Sequence, residues 1–532
     1  MKKEQQISFI FLLTSFLIII YPILKGGIWI GHDISAHVDR ANAINAEIEH
    51  FQLVAGFDFF NAGRLGYAWG LFYPPVSALL ILVSKVLTLG MAGILTQLKL
   101  SFVLIIFISA YTSFLCGKYL FKDISVGIWT SFLYINSVYL LSNIFLRFAF
   151  GESVAACFIP LLIVGLIATF RDEKEKLWLP ISASLVALSN IPIFLCSVCV
   201  AGLMIVILYQ NLNYKAICWM LISFCIIIIL TFFYFFPLWY EMAHNTIWAK
   251  NNMNYDFKNM WNGSAELSTL LTGDETVINH EPVGSFRSIG LFNIILFFVS
   301  YVRSDSRMSS ALSILGLTSI LISTKFFPWY AIPWIFNVMT YIQFPWRFLV
   351  YSSLFASLVS AKFITSFKLD YRNTFFFLIL SATCLTTVYT LKPTYQQRQH
   401  DYHALTSLYN DYLPVDSNKS KILSRKKDIL FNDRDGHFDA MVSYRYGYPD
   451  FIFDANGERV SLPVLDYKIL RIQLNGAEVE RSQKEGMIEF KSVKGMNFVS
   501  IRPSAYLYVP LILSLFGSVV FFIYCGCLIK RH

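Results

Sequence analysis

The chain has 532 residues, of which 56% are hydrophobic and 14% are charged, and its mean hydropathy is +0.56. A soluble domain carries roughly 25% charged residues, so this composition excludes an ordinary soluble protein and indicates an integral membrane protein. The formal charge of +9 requires no nucleic-acid partner, because lysines and arginines lie largely in short loops between apolar segments, as the positive-inside rule predicts.

The apolar segments predict about twelve transmembrane helices with both termini cytoplasmic. The predicted spans are 7–24, 98–117, 124–145, 153–170, 178–190, 192–209, 216–238, 287–302, 309–324, 346–366, 374–391 and 506–528. We expect a helix break at Asn190-Ile191-Pro192, because proline cannot donate a backbone hydrogen bond and disfavours helix in the residue before it. The apolar stretch 75–89 is shorter than the roughly 20 residues of a span, so we expect it to lie in the outer interface.

Three regions follow from these spans. Residues 1–391 form a membrane domain, residues 392–505 a soluble β-rich domain outside the membrane, and residues 506–532 a last helix with a basic tail. The membrane domain has predicted outer loops at 25–97, 146–152, 239–286 and 325–345. In the β-rich domain, alternating apolar runs interrupted by Asn456-Gly457 and Asn475-Gly476 predict hairpins, and we expect a small sandwich.

No disulfide framework is expected, because all nine cysteines lie in or beside apolar segments. Cys196 and Cys199 form a CxxC pair inside an apolar run, where packing is a better interpretation than metal binding or redox chemistry. The chain also lacks Walker, GxGxxG, HExxH and GxSxG motifs, so nucleotide hydrolysis is not expected.

The first candidate site is the stretch GHDISAHVDR, which directly follows the first span. If it is helical, Asp33, His37 and Arg40 fall at i, i+4 and i+7 on one face. A carboxylate, an imidazole and a guanidinium together at a membrane surface can bind a charged headgroup and move a proton. A hydrated linker beside the membrane is the alternative for this stretch alone.

Arg147 and Glu152 form a second candidate site in the short loop between two spans. Charges so close to hydrocarbon are costly and tend to be functional. The alternatives are a snorkelling side chain for Arg147 and a helix N-terminal cap for Glu152.

The third candidate site is Gln343-Phe344-Pro345-Trp346-Arg347. It follows an aromatic, proline-broken segment around Pro333 and Trp334, and such irregular backbone is tolerated at membrane depth only against protein or a wet cavity. Arg347 is a candidate phosphate clamp with Gln343 and Trp346 as substrate-binding neighbours, because a guanidinium matches phosphate at two points. The alternative is an interfacial aromatic belt with one anchoring arginine.

These motifs carry a resemblance to a known family. GHDISAHVDR, LFYPP, RFAFGE, IQFPWRFL and the LPV…LNG of the β-rich domain resemble the bacterial membrane family labelled 6-pyruvoyl-tetrahydropterin-synthase-related, close to the YfhO-like group. The likeness covers nearly the whole chain, and QFPWRF is its most specific element. That family is similar to the GT-C glycosyltransferases, polytopic enzymes that take sugar from a polyprenyl-phosphate carrier on the outer face. The resemblance therefore implies a GT-C-like fold.

The resemblance also implies roles for individual residues. Asp33 matches the catalytic acidic position of the first outer loop, Glu152 the acidic position of the second, and Arg347 the arginine of the FPWR motif. The chain departs from many relatives at Asn190, where they have histidine. It also lacks an adjacent DxD or ExD pair in the first loop. A divalent cation, Mg or Mn, is therefore left open, and no other cofactor is expected.

The sequence thus predicts a glycosyltransferase of the plasma membrane with its active face outside. Asp33 would act as general base, Glu152 would orient the acceptor or a metal, and Arg347 with Arg40 or Arg147 would hold the lipid phosphate. The expected partners are membrane lipid, a polyprenyl-phosphate sugar donor and a cell-envelope glycan acceptor. A flippase for lipid-linked saccharide and a non-catalytic scaffold are the alternatives. The clustering of charges near one face argues against transport, and the cost of those charges argues against a scaffold.

Overall fold

A computed structural model describes most of the chain. It covers residues 3–52, 56–249, 261–272, 274–278, 281–303, 306–329, 340–366, 369–396, 398–399, 410–415, 417, 429–431 and 441–531. The aromatic segment around Pro333 and Trp334, and much of the predicted domain between residues 400 and 440, lie outside the described residues.

Helices dominate the part before residue 397. They are α1 (Lys3–Leu24), α2 (Ile34–Glu49), α3 (Trp69–Phe72), α4 (Val76–Leu87), α5 (Ile94–Phe121), α6 (Ile124–Ile135), α7 (Val138–Phe145), α8 (Phe150–Arg171), α9 (Trp178–Ala187), α10 (Ile191–Ile207), α11 (Tyr214–His244), α12 (Leu267–Thr272), α13 (Leu291–Val302), α14 (Arg307–Ser323), α15 (Leu349–Ser366), α16 (Leu369–Gln396) and, after the β-domain, α17 (Ala505–Arg531).

Among the described residues, six helices are long and apolar enough to cross a membrane. The pair α6 and α7, bent by 46°, adds a seventh crossing if it is one broken span. Five shorter apolar helices of 10–17 residues accompany them. The predicted fold class, a polytopic α-helical membrane protein with a C-terminal β-domain, is confirmed, whereas the number of twelve crossings stays a prediction.

Helix α8 is the centre of the helical part. Its residues from Phe150 to Phe170 are buried except the half-buried Phe158. Such burial on all sides is typical of a helix surrounded by other helices. The first turn of α8 therefore has a fixed position, and it carries Glu152.

Two local predictions agree with the structure. The break before Pro192 is confirmed, because α9 ends at Ala187 and α10 begins at Ile191, with the Asn190 side chain accepting a hydrogen bond from the Ile193 amide at 3.0 Å. Helix α4 has 12 residues and, at about 1.5 Å per residue, is much shorter than the hydrocarbon layer. The stretch is thus too short for a span, as expected, whereas its interfacial position stays a prediction.

The β-domain is a two-layered sandwich. Its main strands are β5 (Leu430–Phe431), β6 (Met441–Arg445), β7 (Tyr448–Asn456), β8 (Arg459–Leu465), β9 (Leu470–Leu474), β10 (Ala477–Glu478), β11 (Arg481–Lys484), β12 (Met487–Lys491) and β13 (Lys494–Pro503). They follow the short pairs β1 (Ile28–Trp29) with β4 (Arg398–Gln399) and β2 (Asp274–Ile278) with β3 (Glu281–Phe286). One sheet has the order β10-β9-β13-β7-β6 and the other β11-β12-β8-β5.

Only one of the two predicted Asn-Gly hairpins is present. Asn475 and Gly476 join the antiparallel strands β9 and β10, and both have positive φ angles of 50° and 86°, as a two-residue hairpin turn requires. The prediction of a hairpin at Asn456-Gly457 is wrong. There the chain passes from one sheet to the other, because β7 pairs with β13 whereas β8 pairs with β12.

A buried carboxylate fastens the β-domain to the end of α11. Glu241 accepts hydrogen bonds from the backbone amides of Lys468 at 3.1 Å and Ile469 at 2.9 Å. Asn245 donates from Nδ2 to Glu241 and to the carbonyl of Asp466, both at 2.7 Å. The turn before β9 is thereby held against the helical part.

The loop between α1 and α3 has its own buried acid. Glu47 is fully buried on α2, and it accepts from Trp69 Nε1 at 3.0 Å and from the Gly56 amide at 3.2 Å. Burial, with a further contribution from nearby Asp58, raises the pKa of the Glu47 carboxyl well above its ordinary value.

Candidate functional site

The predicted site residues gather around one cavity of about 710 Å³. Those that line it are Asp33, His37, Arg147, Glu152, Gln343 and Arg347. Arg40 and Trp346 are not part of its wall. The wall is completed by Phe72–Pro74, Asn190–Pro192, several residues between Leu238 and Ala249, and Tyr412.

Several helices begin at this cavity. Asp33 precedes α2, Pro74 lies just before α4, Glu152 is in the first turn of α8, Asn190 caps α10, and Phe344 precedes the short helix that runs into α15. A helix N-terminus carries roughly half a positive charge and presents unpaired backbone N–H groups. Their convergence favours an anion in the cavity.

Glu152 is held between two arginines. Arg147 donates to it at two points, from Nη1 to Oε2 at 2.6 Å and from Nη2 to Oε1 at 3.1 Å. Arg347 donates from Nε to Oε1 at 2.8 Å. All three side chains are less than 10% exposed. Arg147 therefore does not snorkel to water, and the cluster carries one net positive charge when all three groups are ionised.

The two arginines differ in the partners of their other N–H groups, those that do not bind Glu152. Arg147 Nη1 also reaches Asn143 Oδ1 at 2.8 Å. Arg347 Nη1 binds the carbonyl of Ile342 and, at 3.2 Å, Gln343 Oε1. Arg347 Nη2 has no hydrogen-bond partner within the described part of the chain. Since Arg347 lines the cavity, this edge of its guanidinium is the available cationic donor there.

Asp33 is exposed and lines the same cavity as the ion cluster. Its backbone amide donates to the carbonyl of Arg147 at 3.0 Å, which joins the first loop to the loop before α8. The two loops come so close together that position 31 must be glycine, because a Cβ atom on Gly31 would lie 2.7 Å from Phe148 Cβ. Burial raises the pKa of the Asp33 carboxyl, Arg147 opposes this rise, and Glu152 adds to it.

His37 is enclosed by aromatic rings. The ring centroids of Tyr73, Phe148 and Phe150 lie 5.5–6.0 Å from that of His37, whose residue is 3% exposed. Burial, aided by the charge of Arg40, holds the pKa of the His37 imidazole well below its ordinary value. His37 is therefore a neutral imidazole, which contributes no positive charge towards a phosphate.

Arg40 and Trp346 support the wall from behind. The Arg40 guanidinium lies 3.8 Å from the centroid of the Tyr73 ring, and no carboxylate of the described residues lies within 4.0 Å of it. Trp346 is stacked on Phe344 at 4.2 Å with 6° between the ring planes. The Trp346 ring also lies 5.6 Å from the Arg147 guanidinium, so each of the two residues contacts the wall from outside the cavity.

The residues present do not fit a divalent cation. Both oxygens of Glu152 are engaged by arginine, and no group of three or more His, Cys, Asp or Glu side chains suited to a metal ion occurs within the described ranges. Mg²⁺ and Mn²⁺ prefer several oxygen ligands, and a guanidinium beside the carboxylate repels a cation.

The wall also contains residues that were not predicted as part of the site, among them Tyr73 and Tyr412. Tyr73 lies in the LFYPP motif, and its hydroxyl accepts from the Gly151 amide at 3.2 Å. Tyr412 comes from the segment before the β-strands, far from the other residues in sequence. The motif could have indicated Tyr73, whereas nothing around Tyr412 marks it.

Comparisons with known proteins identify no family. No family model matches the sequence, so the family resemblance given above stays a prediction. An uncharacterized protein of Lactococcus lactis subsp. cremoris is 24% identical over 351 residues, which are 62% of this chain and 55% of that protein. The match thus spans about half the length of that relative.

Solved structures of similar shape include two proteins. One is ArnT from Cupriavidus metallidurans bound to undecaprenyl phosphate, with a TM-score of 0.42 and 8% identity over 73% of this chain and 75% of that one. The other is the oligosaccharyltransferase of Archaeoglobus fulgidus, with a TM-score of 0.42 and 13% identity over 79% of this chain and 58% of that one.

Proposed function

We propose that the protein is a glycosyltransferase that moves a sugar from a polyprenyl-phosphate carrier to a hydroxyl of a cell-envelope glycan or lipid on the extracytoplasmic face. The observation that carries this proposal is the cavity, where an accessible carboxylate, Asp33, faces a cationic cluster at the N-termini of several helices. A base and a phosphate site in one cavity are what this reaction requires.

In the reaction, an acceptor oxygen attacks the anomeric carbon of the donor sugar. Asp33 takes the proton of the acceptor hydroxyl while the bond between the anomeric carbon and the phosphate oxygen breaks. The carrier phosphate leaves with the electron pair. One base suffices for such a displacement with inversion.

The leaving phosphate is stabilised by fixed positive groups. Arg347 offers its Nη2 edge. Arg147 holds Glu152 through two hydrogen bonds, and Glu152 in turn accepts a hydrogen bond from Arg347 Nε and so holds that side chain in place. Prearranged cations and helix N-termini in a site of low dielectric stabilise developing charge without reorganisation. The apolar wall around Leu238 and Met242 is suited to the first isoprene units of the carrier.

Glycan transfer by the purified protein tests the proposal. With a panel of polyprenyl-phosphate sugars and an envelope glycan fraction, we expect transfer from at least one donor. Arg347→Lys should weaken affinity for the sugar donor as well as turnover, because a lysine ammonium cannot bind phosphate at two points as a planar guanidinium does. Arg459→Lys, on the exposed surface of β8, is the matched control and should change neither. Movement of the intact lipid-linked sugar across vesicles without transfer would contradict the proposal and indicate a flippase.

A further inference from the structure

Tyr412 brings the β-domain side of the chain into the cavity. It lies in the short helical turn Asn410–Tyr412, and its ring forms part of the cavity wall. The ring is stacked on Phe72, with centroids 5.1 Å apart and planes 15° apart, and it lies 6.1 Å from the Tyr67 ring. The other residues of the wall come from the helical part, before residue 350.

The backbone around Tyr412 is fixed on both sides. The Tyr467 hydroxyl donates to the Tyr412 carbonyl at 2.9 Å, which ties it to the β-domain. The amide of Trp248 donates to the carbonyl of Leu413 at 2.8 Å, and the segment is thereby tied to the chain after α11. A ring that is stacked and anchored in this way has few conformations to lose when a ligand binds.

The hydroxyl of Tyr412 differs in its hydrogen bonding from the hydroxyls of the neighbouring tyrosines. The hydroxyls of Tyr73, Tyr234 and Tyr467 each make a hydrogen bond to the backbone, at 2.9–3.2 Å. The Tyr412 hydroxyl makes none to any residue that the structure describes. Burial raises the pKa of this phenol, so it keeps its proton and can donate. A donor at a cavity wall that has no acceptor among the described residues can be used by a ligand.

The surroundings of Tyr412 indicate which ligand it meets. Its neighbour Phe72 adjoins Tyr73, which lines the cavity beside Asp33. Asp33 is the group that meets the acceptor hydroxyl in the proposed function. The charge of Arg40 acts on both Asp33 and Tyr412, so these two side chains lie near the same guanidinium. Tyr412 thus stands on the acceptor side.

From this arrangement we infer that Tyr412 is a specificity-determining residue that hydrogen-bonds a hydroxyl of a saccharide acceptor. The inference rests on the proposed function and adds to it that the acceptor is a carbohydrate, and that the β-domain side of the chain takes part in its recognition. Aromatic side chains with a polar tip supply contact area and one directed hydrogen bond, which suits a polyhydroxylated ligand.

The test compares transfer to glycan with transfer to water. Tyr412→Phe keeps the stacked ring and removes only the hydroxyl. We expect kcat/KM for the envelope glycan fraction to fall roughly 3- to 10-fold, the range for one lost neutral hydrogen bond, mainly through KM. Hydrolysis of the donor by water and donor affinity should stay unchanged, because neither uses the hydroxyl. Tyr412→Ala, which also removes the ring, should lose more glycan transfer and retain hydrolysis.

Tyr444→Phe is the matched control. Tyr444 lies on β6 of the same domain, 39% exposed and packed on Phe60 away from the cavity, so its hydroxyl should not affect either reaction. Unchanged glycan kinetics of Tyr412→Phe, or an equal loss of glycan transfer and hydrolysis, would overturn the inference. If the wild-type protein neither transfers nor hydrolyses any donor, the proposed function itself fails and the inference with it.

Discussion

The backbone amide of Asp33 donates a hydrogen bond to the carbonyl of Arg147 at 3.0 Å. The two residues belong to different loops, yet this bond fixes the proposed base relative to the arginine that orders the ion cluster. A parallel contact from the His32 amide to the Leu146 carbonyl, at 3.2 Å, strengthens the junction. These two bonds therefore tie the proposed proton acceptor to the proposed phosphate site.

Removing the charge of Asp33 tests its role as base. Asp33→Asn should reduce glycan transfer by roughly 10²- to 10⁴-fold, the contribution of a positioned acid–base group. Donor affinity should be retained, because the phosphate is held by arginine. Glu49→Gln, at the other end of α2 in an exposed ion pair with Lys85, is the control and should leave transfer intact. Full activity of Asp33→Asn, measured as initial transfer rate, would remove the proposed base.

The pH dependence of transfer should report the environment of Asp33. Its carboxyl has a raised pKa, chiefly because of burial, and only the ionised form accepts a proton. kcat/KM should therefore fall as the pH decreases through a value above the ordinary aspartate pKa of about 3.9. A rate that stays constant down to about pH 4 in a pH profile of kcat/KM would contradict this assignment.

Neutralising Glu152 should destabilise the fold. Glu152→Gln leaves the buried guanidinium groups of Arg147 and Arg347 without their shared counter-ion, and breaking such a buried pair costs about 3–5 kcal/mol. The thermal midpoint in detergent, followed by tryptophan fluorescence, should decrease markedly. Glu489→Gln, whose partner Arg459 is 69% exposed, is the control and should change the midpoint little. An unchanged midpoint for Glu152→Gln would show that the ion cluster is not needed for folding.

The buried carboxyl of Glu47 should make the free energy of unfolding depend on pH. Its pKa in the folded protein is raised, so the folded state binds the proton more tightly than the unfolded state does. Stability should therefore decrease as the pH rises through the raised pKa. Glu47→Gln should remove that part of the pH dependence and be more stable than wild type at the alkaline end.

Thermal midpoints of both proteins over a pH series measure this effect. Asp172→Asn serves as control, because Asp172 is paired with Lys176 and Lys215 at the surface and its pKa is lowered rather than raised. Parallel curves for wild type and Glu47→Gln would contradict the prediction.

The predicted topology can be tested by labelling. In a variant without the nine native cysteines, Ser443→Cys on the exposed strand β6 should react with an impermeant thiol reagent in intact cells. Lys174→Cys, in the turn after α8, should react only after the cells are opened. The reverse pattern would place the proposed active face on the other side of the membrane.

Much of the local structure could be predicted from the sequence. Apolar segments predicted the helical membrane fold, Pro192 predicted the helix break, and Asn475-Gly476 predicted a hairpin. Each of these features depends mainly on residues that are close together in the sequence. Asn456-Gly457 has the same local pattern, but the partners of β7 and β8 are distant strands, and they decide which sheet each strand joins.

The site could be predicted only in part for the same reason. A charge near hydrocarbon indicated Glu152, and an irregular, proline-broken aromatic segment indicated Arg347. The two residues are 195 positions apart. Their direct pairing depends on how α8 and α15 pack, and no spacing in the chain reveals it. Tyr412 enters the cavity through a tertiary stack on Phe72, which leaves no pattern in the sequence around it.

The attachment at Glu241 has a consequence for how this protein can change during evolution. The Glu241 carboxylate accepts hydrogen bonds from the main-chain amides of Lys468 and Ile469. Every amino acid except proline has such an amide and can donate the same bond. The attachment therefore constrains the acid on α11 but not the identity of the residue at either position, and Ile469 is constrained by its burial in the core instead. Related chains should show a conserved acid at the end of α11, opposite an apolar residue that the core rather than the carboxylate selects.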